Sequence, residues 1–144
     1  ERPKAIFVDG VGVGAGVVDR LRQLLGPRII IDVQAAAKAI DSDKYGNKRA
    51  EMWGRMRDEF AAGVELPNDP ELLDQLTWPE MAFEHATERI LVEKKELIRK
   101  RHGASPDRAE ALALTWAQPV AIASPVFSGN SMRVETAYSE YEMM

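Results

Sequence analysis

The chain has 144 residues, 45% of them hydrophobic and 29% charged, with no cysteine, two histidines and a formal net charge of −4. That length suits one domain with a useful core. The absent cysteines exclude disulfides, thiolate zinc sites and cysteine nucleophiles, and the acidic balance excludes a globally basic nucleic-acid binder while leaving room for a local basic face.

Any metal is expected to be oxygen-ligated, which favours magnesium or manganese. No apolar run approaches the roughly 20 residues of a membrane span, and no signal peptide is visible. An intracellular protein with no membrane partner is therefore expected. The chain opens on Glu1 with no initiator methionine, which suggests a piece of something longer.

Ile6, Phe7 and Val8 form a short apolar run that ends on Asp9 and enters a loop with glycines at 10, 12, 14 and 16. This predicts a buried strand, a phosphate-scale loop and a helix. A charge at the mouth of a central strand is costly unless it is solvated, paired or bound to a cation. Asp9 has three readings: a turn cap, a metal-binding carboxylate, or part of a dinucleotide fingerprint. For the last, Gly10, Gly12 and Ala15 fit G-x-G-x-x-G/A, with Asp32 placed for a ribose contact. Asp9 would, however, set a negative charge beside the pyrophosphate. No Gly-Lys-Ser/Thr follows, which excludes a Walker-type loop.

Val17, Val18, Leu21, Leu24 and Leu25 recur at helical spacing until Gly26-Pro27 stops the helix. Residues 28–33 (RIIIDV) read as a second buried strand, so strand, helix and strand form a right-handed βαβ unit with parallel strands. Asp9 then lies at the carboxyl end of its strand, where α/β sites sit. A polar connection with Asp41, Asp43, Lys44 and Tyr45 leads to Asn47, which can cap a helix running to about Ala62. Met52, Met56 and Phe60 are its core stripe, Trp53 covers an edge, and Gly63 ends it.

Asn68 or Asp69 with Pro70 begins a helical turn through Leu72, Leu73 and Leu76. Residues 81–85 and 89–92 predict an antiparallel hairpin around Thr87-Glu88. Residues 94–101 form a basic helical segment ending at His102-Gly103, either a solvated face or a binding one. Ser105 is placed as an N-cap and Pro106 at the first helical position of a last helix rich in small residues, broken at Pro119. Beyond Ala121 helical periodicity is lost.

Asp107 and Glu110 are three apart on that last helix and project to one side. They can serve the helix macrodipole. Together with Asp9 they can instead form an oxygen-rich site for two divalent ions about 3.5–4 Å apart, which cleaves phosphodiesters without a side-chain nucleophile.

The runs IFVDGVGVGAGVVDRL, YGNKRAEMW, LPNDPELLDQL and KKELIRKRHGASPDRAEALALT resemble, in order and spacing, the C-terminal nuclease domain of bacteriophage terminase large subunits, over about residues 5–116. The resemblance implies an α/β, RNase H-like nuclease fold with central parallel strands, flanking helices and an auxiliary β-hairpin at 81–92. It implies metal-dependent cutting of double-stranded DNA during genome packaging, with Mg2+ or Mn2+, in the cytoplasm of the bacterial host of a phage or prophage. Asp9 would be the second metal-binding acid and Asp107 the third, with Glu110 a supporting ligand where the family commonly has aspartate. Lys94, Lys95, Arg99, Lys100 and Arg101 would be DNA-backbone contacts, and Arg49 structural or phosphate-facing.

The implied partners are the terminase ATPase domain, the small terminase subunit and a portal. Residues 1–118 would be the nuclease portion and 119–144 a mobile or partner-binding extension. The family's first acid lies on a strand upstream of the Asp9 strand, whereas only Glu1 to Lys4 precede that strand here. The expected fold is therefore incomplete and its cleavage feeble or nil, with Asp32 a weak substitute ligand. Two alternatives stand beside it: a non-catalytic remnant that docks DNA or a portal, and a dinucleotide-binding βαβ unit.

Overall fold

The computed structural model describes residues 3–120, so the extension expected over the tail lies outside the described residues from 121 onward. Strand β1 (Ile6–Asp9) pairs in parallel with β2 (Ile30–Val33), from Ile6 beside Ile30 to Asp9 beside Val33. Helix α1 (Val13–Leu25) connects them. The glycines of this turn have distinct duties. Gly12 takes φ 64° to swing the chain into α1, a conformation that costs a side-chain-bearing residue energy. Gly14 brings the helix onto the strand end, where a Cβ would fall 1.8 Å from the Asp9 carbonyl oxygen. Gly26 closes α1, its N–H donating to the Arg22 carbonyl at 3.0 Å.

The segment expected as a polar connection contributes Ala39 and Tyr45 to the core. Its anchor is Glu51 of α2 (Lys48–Ala62), which has no exposed surface. The Glu51 carboxylate accepts from the backbone N–H groups of Ile40 and Asp41, each at 3.0 Å, and pairs with Lys48 at 2.8 Å and Arg55 at 2.9 Å. Burial alone would raise its pKa, but the hydrogen bonds from Lys48, Asp41 and Ile40 outweigh that and hold it below the ordinary carboxylate value.

Asn47 caps α2 as expected, its side chain accepting from Ala50 N–H at 2.9 Å, and Gly63 ends it in the left-handed region. Met52 and Met56 sit in one cluster with Val33, Ala113 and Ala117, flanked by Phe7, Ile31, Phe60 and Trp116. Burying each methionine contributes about 2 kcal/mol, and Phe60 meets Trp116 edge-on with centroids 5.9 Å apart.

Asp69 caps α3 (Pro70–Gln75) through the N–H groups of Glu71 and Leu72. Strands β3 (Met81–Phe83) and β4 (Ile90–Val92) then form the expected antiparallel hairpin. Its turn has no glycine, and Glu88 takes φ 57°. Glu84 supports that conformation by accepting from Thr87 Oγ1 and from Arg89 Nη2 at 2.6 Å. Tyr45 adds a parallel bridge to Ile90, tying the hairpin to the α2 loop.

Helix α4 (Lys95–His102) ends at Gly103 with four basic residues in its last turn, where the dipole favours them. Helix α5 (Asp107–Ala113) continues into a 3₁₀ turn at Leu114–Trp116. Here two expectations are corrected: Ser105 provides no side-chain cap, and Pro106 stands at the cap position, with the helix starting at Asp107. Gln75 of α3 supplies the side-chain cap instead, its Oε1 accepting from Arg108 N–H at 2.8 Å and Ala109 N–H at 3.3 Å. Among the described residues no helix is long and apolar enough to cross a membrane.

Candidate metal and nucleic-acid site

Parallel pairing with β2 carries Asp9 to the carboxyl end of β1, where the chain leaves the sheet and its side chain is 43% exposed. Asp9 Oδ1 accepts from Val11 N–H at 3.2 Å, which is the turn-cap role, while Oδ2 lies 3.9 Å from Lys95 Nζ. Beside it Asp32 packs on Gly10 so closely that a Cβ at residue 10 would lie 1.8 Å from Asp32 Oδ1, and Gln34 Nε2 donates to that oxygen at 3.0 Å. The backbone surface that a pyrophosphate would need at Gly10 is thus covered by a carboxylate, which weighs against the dinucleotide alternative.

Glu110 comes from α5 and is mostly buried. Its Oε1 accepts from Arg49 Nη2 at 2.6 Å, Arg49 Nε at 2.9 Å and Trp53 Nε1 at 3.3 Å, while Oε2 lies 3.6 Å from Lys95 Nζ. Lys95, at the start of α4, therefore joins the end of β1 to α5. Its amine sits between two carboxylates whose own elements are far apart in sequence. Such a part-exposed pairing contributes about 1 kcal/mol or less.

Asp107 opens α5, is exposed, and forms no ion pair among the described residues. No group of three or more His, Asp or Glu side chains among the described residues stands close enough to hold a metal ion. The fold thus brings Asp9 and Glu110 to one amine and leaves Asp107 outside that contact.

The basic residues divide by environment. Arg49 is 8% exposed and faces inward. Arg101 is committed to Glu93, at 2.6 and 2.8 Å, and also meets Glu80 and the Trp78 carbonyl. Its neighbour His102 stacks on Trp78 at 4.5 Å, so the end of α4 is fastened to the approach to β3. Lys94, Arg99 and Lys100 are exposed and make no ion pair among the described residues. They are the part of the basic segment available to a polyanion. Lys95 was expected as a DNA-backbone contact; its place between Asp9 and Glu110, and that of Trp53 beside Glu110, arise only through the tertiary fold and left no local signal in the sequence.

A groove of about 1160 Å³ lies elsewhere. Phe7, Arg55, Leu114 and Trp116 line it, and none of Asp9, Lys95, Asp107 or Glu110 does. Asp9 and Glu110, meeting at one amine, bring to the strand's end oxygen donors of the type that divalent cations prefer.

No protein-family model matches the chain, and no curated protein sequence matches it. Solved structures do. The nuclease domain of the large terminase subunit gp2 of bacterial virus Sf6 superimposes with a TM-score of 0.62 at 19% identity, over 80% of this chain and 65% of that one. A lysine-substituted form of that domain with manganese gives 0.63 at 19% identity over 78% and 65%, and one with calcium gives 0.63 at 19% over 78% and 64%. This chain therefore spans just under two-thirds of the length of those domains. Its fold is that of the phage large-terminase nuclease domain, an RNase H-like α/β fold present here with an incomplete sheet.

Proposed function

We propose that the chain is the C-terminal portion of a metal-dependent endonuclease domain that hydrolyses double-stranded DNA for a phage packaging terminase, with Asp9, Asp107 and Glu110 as its metal-binding acids. The observation that carries this reading is Lys95 Nζ held 3.9 Å from Asp9 and 3.6 Å from Glu110. A cation already occupies the meeting point of two hard carboxylates, at the strand end where this fold places its chemistry. Those donors suit Mg2+ or Mn2+, and the manganese and calcium in the Sf6 domain structures support the same class of ion.

When bound, such ions activate water and stabilise the leaving oxygen. The chain's own residues do the rest. Asp9 and Glu110 each present one oxygen, Asp107 adds a carboxylate at the start of the same helix, and Lys94, Arg99 and Lys100 hold the DNA backbone. Two converging carboxylates are fewer than a pair of ions needs, so we expect weak cleavage by this segment alone and full activity only with a further acid. The ATPase domain, small subunit and portal are its proposed partners, in the host cytoplasm. That no three acids among the described residues stand close enough to hold a metal ion favours a second reading, a docking module that binds DNA or a portal without cutting.

Calorimetric titration with Mn2+ separates the two. Wild type should bind, and Asp9→Asn or Asp107→Asn should weaken binding at least about tenfold while the far-UV circular dichroism stays unchanged. No binding by wild type, or binding indifferent to both substitutions, would move the assignment to the docking module.

A further inference from the structure

We propose that Arg49, assisted by Trp53, is a positioning residue that holds Glu110 with one oxygen free and couples that acid to the base of the β3–β4 hairpin. The inference rests on the nuclease reading and adds to it a device on α2 that acts through one of the proposed acids, Glu110.

Three observations converge. First, the donors are concentrated on a single atom: Arg49 Nη2 at 2.6 Å, Arg49 Nε at 2.9 Å and Trp53 Nε1 at 3.3 Å all point to Glu110 Oε1. A fork spread over both oxygens would be the usual arrangement for arginine. Here Oε1 is saturated, and Oε2 is left toward Lys95 and the Asp9 side. Second, the remaining guanidinium nitrogen, Nη1, donates to the Glu93 carbonyl at 2.6 Å and lies 3.4 Å from the Val92 carbonyl. Those carbonyls end β4 and immediately precede Lys94 and Lys95. One planar group thus sets the spacing of α2, α5 and the β4–α4 junction that carries the basic residues. Third, Arg49 is 8% exposed, which excludes it from contact with a DNA phosphate and decides between the two roles its sequence position allowed.

Lysine cannot substitute, because a point charge on a flexible stem reaches one or two of these three acceptors but cannot make all four hydrogen bonds. Groups that orient a ligating carboxylate without touching the ion typically change metal affinity by 10–100-fold when altered. Glu110 fixed in this way offers an ion one oxygen at a defined place, and it does so without ordering its own side chain at the moment of binding.

The test is Mn2+ affinity by calorimetry in a double-mutant cycle. Arg49→Lys should weaken Mn2+ binding about tenfold, and Trp53→Phe, which removes one donor to the same oxygen, by a smaller factor. In a Glu110→Gln background neither substitution should change affinity further. If wild type binds and both variants bind equally well, or if the loss is as large in the Glu110→Gln background, Arg49 acts only on the fold and the proposal is overturned. Should Arg49→Lys fail to fold, Trp53→Phe carries the cycle alone.

The metal-free Trp53 indole N–H resonance reports the same oxygen and should shift in both Glu110→Gln and Arg49→Lys. If wild type binds no Mn2+, the nuclease reading fails, and this resonance decides the positioning separately: a shift in both variants supports it, and an unmoved signal removes it.

Discussion

Glu51 is a carboxylate with no exposed surface and two cations against it, so its charge ties fold stability to pH. Its folded pKa lies below the ordinary 4.5, hence the folded state holds fewer protons than the unfolded chain in the acid range. The stabilisation is present above about pH 4.5 and is lost as pH falls through the lowered value. Glu51→Gln should cost about 3 kcal/mol at pH 7 and flatten the acid limb of a urea-denaturation series below pH 4.5. An unchanged acid limb would assign acid sensitivity to the other carboxyls held low by arginines, such as Glu93.

The glycines give a second residue-scale prediction. Gly14→Ala must push the Asp9 carbonyl away and should destabilise by about 1–3 kcal/mol, whereas Gly16→Ala meets nothing within 4 Å and should be neutral or stabilise by up to about 1 kcal/mol. Equal effects in thermal melts would contradict the packing described. Asp9 and the need for glycine beside it were legible in the sequence, because strand ends and turns are local. The partner of Gly14 was not: only the packing of α1 on β1 shows which glycine is indispensable.

Among elements, those with local signals were read most closely. Asn47, Asp69 and Gly63 do what capping chemistry predicts, and the hairpin forms at the expected positions although its turn relies on Glu84 and Arg89 in place of glycine. Helix α5 shows where locality fails, since its capping group is Gln75, 33 residues before Arg108. The basic helix divides in the same way. Its composition was legible, but the diversion of Arg101 to Glu93 and of Lys95 to Asp9 and Glu110 depends on tertiary neighbours. Replacing Lys94, Arg99 and Lys100 together by Gln should therefore reduce the slope of log affinity for duplex DNA against log salt by up to about 3. Arg101→Gln should lower stability with little change in that slope. The reverse pattern would place the DNA elsewhere.

At the scale of the whole molecule, the described sheet at the Asp9 end has two strands, and the groove beside Phe7 and Trp116 opens at the start of β1, whereas Asp9 ends that strand. The structural matches cover 64–65% of the related domains, in keeping with a core in which α2 and α5 pack beside an incomplete sheet. Fold and site are separable here. The βαβ unit and the helices supply enough burial to position Asp9, Lys95 and Glu110 without a third carboxylate at their contact. The architecture was legible because strand, helix and strand follow within thirty residues. The convergence of residues 9, 95 and 110 was not, since it depends on the reach of the Lys95 side chain between elements far apart in sequence.

The most direct measurement is paramagnetic broadening of amide resonances by trace Mn2+ in the labelled protein. The site proposed here predicts selective loss of signals at Val11, Lys95 and Glu110, reversed by Asp9→Asn. Broadening confined to other acidic surfaces, or unchanged in Asp9→Asn, would contradict a metal centre at the end of β1.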